Sequence, residues 1–201
     1  FRGTHPFRHA PAILGHEIAG DVVEIGSKVT NIKVGDRVTV EPQVGCGECE
    51  MCKRGLVSLC SGKKVPGTPE WIGAFSEYFN ADEKTVYKLA DQTSYEMGTL
   101  AEPLAVAVHT VNHAETRTGG LVILGAGTIG QLILAVARKR GYSPIIVTDT
   151  AAFNREFAVK HGADAALDPV TENIPEKVKE MTGGRGADLA IIAAGADNIL
   201  D

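Results

Sequence analysis

Three features are missing from this sequence of 201 residues. No apolar run reaches membrane-spanning length, and residues 1–10 show no signal-peptide pattern, so neither a transmembrane helix nor a secretory leader is expected. An excess of positive charge is also missing. The net charge is −5, which gives no support to nucleic-acid binding. Internal repeats and low-complexity tracts are also missing, which argues against a solenoid or a disordered chain. The sequence therefore predicts a cytoplasmic protein without a membrane or nucleic-acid partner.

The composition is that of a folded protein. Charged residues make up 22% and hydrophobic residues 44% of the chain, as in globular domains. The length allows one large or two small domains with a sizeable core. The chain begins without methionine, and its second half stops at what looks like a fourth strand. We therefore expect it to be a fragment of a longer protein.

A glycine-rich turn organises the second half of the chain. Four apolar residues at 121–124 predict a buried parallel strand, and a helix-period pattern follows over 129–140. Between them, Gly125, Gly127 and Gly130 have G-x-G-x-x-G spacing. In a dinucleotide-binding turn, the three glycines permit a tight turn, close approach of a pyrophosphate, and packing of helix against strand. The free N–H groups at the helix N-terminus also favour phosphate.

The context of this turn separates it from a plain strand-turn-helix without a ligand. Asp149 ends a second predicted strand at 145–148, where the dinucleotide fingerprint requires an acid, and Gly141 is placed to cap the preceding helix. Such alternation predicts a doubly wound parallel sheet. The predicted strands and helices alternate over 121–124, 129–140, 145–148, 153–161, 165–167, 174–182 and 188–194.

The first half has a different pattern. Short strands separated by turn signals indicate a compact antiparallel, barrel-like region. They are predicted at 18–25, 37–40, 73–79 and 85–88. Trp71 and the nearby aromatic residues are interpreted as core. A helical pattern takes over after residue 91, with an apolar helix at 104–109. We place the domain boundary so that residues 1–105 form the first domain and 106–201 the second.

All four cysteines of the chain lie in one short run. Their spacing, Cys-x2-Cys-x2-Cys-x7-Cys, lets one loop wrap a tetrahedral ion, and a site with four thiolates has no open position for catalysis. Two disulfides are an alternative, although the rest of the sequence looks cytosolic, where thiols stay reduced. An iron–sulfur cluster is another, although Ser61 stands where such runs usually have proline. We favour a structural zinc ion bound by Cys46, Cys49, Cys52 and Cys60.

Two further sites carry metal-binding or capping side chains. His16 and Glu17 precede the first predicted strand, and a neighbouring nitrogen and oxygen can bind one metal ion. On its own, such a pair is more often solvated surface. Glu102 precedes Pro103 at the start of the apolar helix, where an acid can also serve simply to cap the helix.

Together these motifs resemble the zinc-dependent medium-chain dehydrogenases, the alcohol and polyol dehydrogenase family. The resemblance runs along nearly the whole chain. It implies a GroES-like antiparallel β domain, N-terminally incomplete, and a Rossmann doubly wound parallel sheet, C-terminally incomplete. The matching motifs are Gly15-His16-Glu17, Val34-Gly35-Asp36-Arg37-Val38, the four cysteines, Gly73-Ala-Phe-Ser-Glu-Tyr78, Glu102-Pro-Leu104, and the segment from Gly125 to Asp149.

The resemblance implies a second, catalytic zinc ion between the two domains. His16, Glu17 and Glu102 match its environment, while the family's first ligand, a cysteine, would precede residue 1. Alcohol dehydrogenases have a ligand cysteine where this chain has Glu102, and Glu-Pro-Leu there is more similar to sorbitol and related polyol dehydrogenases. Glu102 then either binds zinc directly or holds a zinc-bound water. The cofactor-binding residues implied are Gly125, Gly127, Thr128, Ile129, Gly130, Asp149, Asn154 and Arg155.

The resemblance also implies a reaction, in which an alcohol or polyol loses its hydroxyl proton with the help of zinc and passes hydride to a nicotinamide cofactor. We expect NAD rather than NADP, because Asp149 would repel a 2′-phosphate. A homo-oligomer, dimer or tetramer, is expected. Two alternatives stay open: a quinone- or enoyl-reductase relative that works without catalytic zinc, and a non-enzymatic zinc-binding module.

Overall fold

The computed structural model describes residues 8–195 and 199. Its internal contacts divide the chain into two compact units, with the division between Glu102 and Pro103. Among the described residues, none of the helices combines the length and the hydropathy needed to cross a bilayer.

The first unit is built on a small antiparallel sheet. Its strands are β1 (Ala19–Asp21), β2 (Arg37–Val40) and β3 (Val86–Lys88), and β2 lies between the other two. The residues of β2 alternate between half-buried and buried, so Val38 and Val40 face the interior, as a strand with one covered face requires. The antiparallel architecture predicted for this region is confirmed.

The strand predicted over 18–25 is wrong beyond Asp21. Asp21 pairs with Arg37, the first residue of β2, so β1 has no further β2 residue opposite it. The hairpin closes immediately afterwards, because Val22 donates to Asp36 O at 2.9 Å and accepts from Gly35 N at 2.8 Å. The hydrophobic pattern continues past the point where pairing ends.

The strand predicted over 73–79 is also wrong, since residues 74–77 form bends. Backbone N–H groups of three successive residues, 73, 74 and 75, donate to carbonyls of residues 13–15. A strand would present alternate residues to one neighbour, so this pairing cannot extend into a ladder. The aromatic residues here are not all core, because Phe75 is 81% and Tyr78 is 71% exposed.

Helices in the first unit are short. The turn α1 (Glu50–Lys53) lies in the cysteine run, and α2 (Tyr95–Thr99) begins after Ser94, whose hydroxyl accepts from Met97 N at 3.2 Å. The apolar helix predicted at 104–109 is longer, forming α3 (Ala101–His113), which begins with the last two residues of the first unit.

The second unit is a parallel sheet with alternating helices, which confirms the predicted doubly wound architecture. The spatial order is β6-β5-β4-β7, so the chain leaves the central strand β4 in one direction, returns, and continues on its other side. The elements are β4 (Gly119–Leu124), α4 (Thr128–Arg140), β5 (Tyr142–Thr148), α5 (Ala152–Lys160), β6 (Ala165–Leu167), α6 (Ile174–Met181) and β7 (Leu189–Ile192). Gly141 ends α4 in the left-handed conformation, as expected of its cap.

Both faces of this sheet are covered. On one face, Leu121 and Ile123 of β4 pack with residues of α4, including Leu134, in a fully buried cluster. On the other face, Val122 of β4 packs with Val178 of α6. Successive residues of β4 therefore enter opposite layers, which explains why its sequence is apolar throughout rather than alternating.

Candidate metal and cofactor sites

The four cysteines converge in the first unit. Their sulfur atoms all lie within 4.8 Å of one another, a separation that suits a tetrahedral ion, whose thiolate sulfurs would be about 3.8 Å apart at a zinc–sulfur distance of about 2.3 Å. All four are free thiols, so the structure does not carry the disulfide alternative. The members of the cluster are Cys46, Cys49, Cys52 and Cys60.

Local backbone geometry turns the cysteines towards one point. Cys49 is the N-cap of α1, and its sulfur accepts from Cys52 N at 3.5 Å. The sulfur of Cys46 accepts from Cys49 N at 3.4 Å, and that of Cys60 accepts from Cys46 N at 3.5 Å. Gly47 has a φ of +80°, a left-handed conformation that glycine adopts without strain. The loop between the first two cysteines can therefore reverse tightly.

Backbone N–H groups of this loop also shift the pKa values of two of the thiols. Backbone N–H groups of Cys49 and Glu48 lower the pKa of Cys46 to about 6. The N–H of Gly47 lowers the pKa of Cys52, but burial and the neighbouring thiols outweigh it and raise that pKa to about 11. A thiol that ionises easily therefore lies beside one that resists ionisation, and a bound cation would stabilise the thiolate form of both.

A second cluster in the first unit has nitrogen and oxygen donors. One ligand atom each of His16, Glu17 and Glu102 lies within 4.8 Å of the others. His16 and Glu17 are exposed, while Glu102 is half-buried. Two carboxylates and an imidazole suit a divalent cation such as zinc, and their exposure leaves room for water or substrate as a further ligand.

His16 is held by the irregular pairing described above. Phe75 N donates to Leu14 O at 2.8 Å, and Ala74 N donates to Gly15 O at 3.0 Å. Gly15 has a φ of +97°, and a Cβ there would lie 3.0 Å from Phe75 N, so a larger residue would be strained and crowded. The sequence pattern missed this pairing, although glycine at both 15 and 73 is a signal of close backbone approach.

Glu102 belongs to the first turn of α3. The position is compatible with both roles considered from the sequence, because an acid there interacts favourably with the helix dipole and also points its carboxylate to His16 and Glu17.

The glycine turn in the second unit is tightly packed at two of its three glycines and open at the third. Gly125 has a φ of +106°, and a Cβ on it would lie 2.7 Å from the Cβ of Ala194. A Cβ on Gly130 would lie 1.9 Å from Gly125 O, so that α4 can approach the turn only if this residue is glycine. By contrast, no atom of the described residues lies within 4 Å of a Cβ built on Gly127, the N-cap of α4.

This open position lies where phosphate would approach the helix. Residues Thr128 and Ile129 begin α4, and the first N–H groups of a helix have no partner within it. They present a positive dipole end next to the open Gly127. The arrangement can receive an anionic group, as a pyrophosphate would require.

Asp149 lies at the end of β5 and accepts three hydrogen bonds from its own chain. Its Oδ2 accepts from Ala126 N at 2.9 Å and from Asn154 Nδ2 at 3.1 Å, and its Oδ1 accepts from Ala151 N at 2.8 Å. Burial raises the pKa of Asp149, but these three donors outweigh it and lower the pKa below its usual value. Two of the donors are backbone groups, which a sequence pattern does not indicate.

The guanidinium of Arg155 already has three partners within the chain. Its guanidinium donates to Asp149 O at 2.7 Å and Thr150 O at 2.9 Å, and pairs with Asp168 at 3.1 Å. The Arg155 and Asp168 side chains are each 21% exposed, so this pair is more than a loose surface contact. Arg155 stays a proposed cofactor residue, and turning towards a ribose would require it to leave Asp168.

Two family models match the chain. Residues 1–91 match the alcohol dehydrogenase GroES-like domain, and residues 128–201 match the zinc-binding dehydrogenase domain. The chain is 40% identical over 192 residues to D-xylulose reductase A of Aspergillus oryzae, covering 93% of this chain and 54% of that protein. It is 39% identical over 191 residues to L-threonine 3-dehydrogenase of Pyrococcus horikoshii, covering 95% of this chain and 55% of that protein.

A solved structure is also similar. It is described as a zinc-binding dehydrogenase from Sinorhizobium meliloti and was crystallised with NADP; the TM-score is 0.87 at 32% identity, covering 97% of this chain and 58% of that one. The chain thus spans about half the length of the curated relatives it matches. The chain belongs to the zinc-dependent medium-chain dehydrogenase family.

Proposed function

We propose that the protein containing this chain is a zinc-dependent oxidoreductase that transfers hydride between a secondary alcohol or polyol and NAD. The observation that carries the proposal is the cluster of His16, Glu17 and Glu102, because its donors and its exposure suit an open metal site. The alternative of a zinc-independent reductase gives these three side chains no common purpose. The alternative of a non-enzymatic module gives the glycine turn no purpose.

The proposal assigns one zinc ion to each cluster. The four cysteines would hold a structural ion, since their thiolates fill a tetrahedron and leave no position for substrate. His16, Glu17 and Glu102 would contribute to a catalytic site, with Glu102 acting either as a ligand or as an acceptor for a water at the metal. Both donor sets match the chemistry of zinc, which accepts sulfur, nitrogen and oxygen ligands.

When bound, the catalytic zinc ion would lower the pKa of a substrate hydroxyl, and the nicotinamide would accept hydride. His16 would contribute a neutral ligand, whereas the carboxylates of Glu17 and Glu102 would adjust the charge of the site. The irregular pairing of residues 13–15 with 73–75 would fix the orientation of His16. In the second unit, the N–H groups at the start of α4 would bind the pyrophosphate, and Asp149 would accept from the adenosine ribose.

The substrate class rests on the relatives. D-xylulose reductase and L-threonine 3-dehydrogenase are named for compounds with secondary hydroxyl or ketone groups, and both are about 40% identical to this chain. Within this class, a panel of polyols and secondary alcohols would identify the substrate. The homo-oligomer expected from the family resemblance stays a prediction.

The test is a hydride-transfer assay on the protein expressed from its complete coding sequence, with and without a zinc chelator. We expect NAD reduction with at least one alcohol or polyol, loss of the activity on chelation, and recovery with added zinc. In Glu102→Gln, we expect turnover to fall by two orders of magnitude or more, because a charged group at the reacting centre is lost. Stability should fall by about 1 kcal/mol at most, the usual effect of a changed cap.

Glu96→Gln is the matched control. Glu96 is an exposed acid in the first turn of α2, so the variant makes the same chemical change at a helix start outside the metal cluster. Its turnover should equal that of wild type. Unchanged turnover in Glu102→Gln would contradict the catalytic role, while chelator-resistant activity would favour the zinc-independent alternative. The absence of hydride transfer with every substrate would favour the non-enzymatic module.

A further inference from the structure

Four residues around the glycine turn form a closed ring of hydrogen bonds. Asp149 accepts from the backbone N–H of Ala126 and from the side-chain amide of Asn154. On the opposite side, Nε2 of Gln131 donates to the carbonyls of the same two residues, Ala126 and Asn154, at 3.0 Å each. The ring therefore joins the glycine turn, the end of β5, the first turn of α5 and the beginning of α4.

The Gln131 side chain takes part in this ring only through its amide nitrogen. Both hydrogens of its amide nitrogen are used, whereas no donor in the described part of the chain reaches its buried Oε1. A buried acceptor without a partner opposes folding, so an apolar residue of similar length would avoid that cost. Glutamine gains at this position only through the two carbonyls that it bridges.

These carbonyls belong to the two segments that a dinucleotide must contact together. Ala126 lies within the turn that would face the pyrophosphate, and Asn154 lies beside the carboxylate that would receive the adenosine ribose. The two segments are 28 residues apart in sequence, and α4 and β5 lie between them. A bridge between them sets the distance between a phosphate site and a ribose site before any ligand arrives, which reduces the entropy lost on binding.

We propose that Gln131 is a positioning residue for the cofactor, which holds the glycine turn and the first turn of α5 at the spacing of an adenosine diphosphate group. The inference rests on the proposed function, because it assumes that a nicotinamide dinucleotide binds at this turn. Gln131 does not contact the reacting atoms. Its effect is therefore on cofactor affinity and not on the hydride-transfer step.

The test compares Gln131→Met with wild type in the protein expressed from its complete coding sequence. Methionine keeps the length of the side chain and removes both donors. We expect its dissociation constant for ADP-ribose, measured by calorimetry, to rise about tenfold, because the two neutral hydrogen bonds that hold the segments at their spacing are lost. The KM for NAD should rise to a similar extent while kcat stays within about twofold. Ala135→Met, on the exposed side of α4, should leave both constants unchanged.

A second variant covers the case in which Gln131→Met folds poorly. Gln131→Lys restores an N–H donor of similar reach, so it should recover most of the ADP-ribose affinity, whereas a role limited to packing predicts no recovery. Equal affinity in wild type and Gln131→Met, or equal loss in the Met and Lys variants, would overturn the inference and leave the proposed function intact. Failure of the wild-type protein to bind ADP-ribose or NAD would overturn both.

Discussion

At the scale of single residues, the charge of Asp149 is the feature with the clearest consequence. Three donors from its own chain lower its pKa below the usual value of a carboxylic acid, so the group is ionised throughout the neutral range. A 2′-phosphate beside it would bring like charges together, and Thr150, Ala151 and Ala152 contribute no cation. The nearest arginine, Arg155, already pairs with Asp168.

We therefore predict a preference for NAD over NADP that Asp149→Ser largely removes. The ratio of kcat/KM for the two cofactors should fall by on the order of tenfold to a hundredfold, the range expected for a hydrogen bond to a charged group. Because the folded-state pKa is lowered, the wild-type preference should be constant between about pH 6 and 8 and decline only as Asp149 protonates in acid. Steady-state kinetics with both cofactors over this pH range measure the ratio of kcat/KM.

The control for this prediction is Asp91→Ser, an exposed acid of the first unit that should leave the cofactor ratio unchanged. A wild-type protein that uses NADP as well as NAD would contradict the assignment of Asp149 to the ribose.

At the scale of elements, the cysteine loop with its short helix α1 is held mainly by backbone hydrogen bonds rather than by buried apolar side chains. The helix has four residues and buries none of them, and isolated helices of this length are not stable in water. Two backbone hydrogen bonds between Val44 and Lys64 join the ends of the loop, and the four sulfurs converge within it. Metal-binding free energy at such a loop is folding free energy.

We predict that Cys49→Ser lowers zinc content and thermal stability together. Serine is a good N-cap, so it can accept from the N–H of Cys52 as Cys49 does, and any loss of stability reports the missing metal ligand rather than a missing cap. Metal analysis of the purified variant should find about one zinc fewer per chain, and calorimetry should find a lower Tm. Full zinc content in Cys49→Ser, or oxidised thiols in the wild type, would contradict the structural-zinc assignment.

At the scale of the whole molecule, the two units differ in how they are stabilised. The second unit has apolar clusters on both faces of its sheet, including fully buried Leu121, Ile145 and Leu134. In the first unit, the described residues bury fewer apolar side chains, those of Val38, Val40, Cys60 and Pro66, and many other contacts are backbone hydrogen bonds between loops. Burial of apolar area is the main source of stability, so we expect the first unit to depend more on bound metal.

We predict that removal of zinc destabilises the first unit selectively. Trp71 is the only tryptophan of the chain, and its indole donates to Asn80 O at 2.6 Å, so its fluorescence reports the first unit. Far-UV circular dichroism reports mainly the helices, and α4, α5 and α6 belong to the second unit. A strong chelator should lower the denaturation midpoint followed by fluorescence more than the midpoint followed by dichroism.

Chelator already saturated with zinc is the control and should shift neither midpoint. Equal shifts of both signals on chelation would show that the two units unfold together and would contradict the prediction. Unchanged midpoints would mean that the cysteine cluster does not contribute metal-binding free energy to folding.

Much of the second unit could be predicted from the sequence, for a local reason. Residues 121–124 are apolar without alternation because both faces of the sheet are covered, and Gly125, Gly130 and Gly141 occupy positions where a side chain would clash or strain the backbone. The relevant constraints act within a few residues. The predicted first residues of strands are less accurate. The strand β5 begins at Tyr142 rather than at residue 145, because Tyr142 pairs with Gly119, which is distant in sequence.

By itself, then, the sequence determined the alternation of strand and helix, the glycine turn, the cysteine run and the family resemblance, because each is written in the spacing of neighbouring residues. Only the tertiary structure decided that residues 73–75 pair irregularly with 13–15, that His16 and Glu102 lie in one cluster, and that Gln131 and Asp149 close a ring. These contacts join residues that are far apart in sequence, and many use backbone groups that every residue carries. Their pairing is therefore decided by packing of whole segments and not by local residue type.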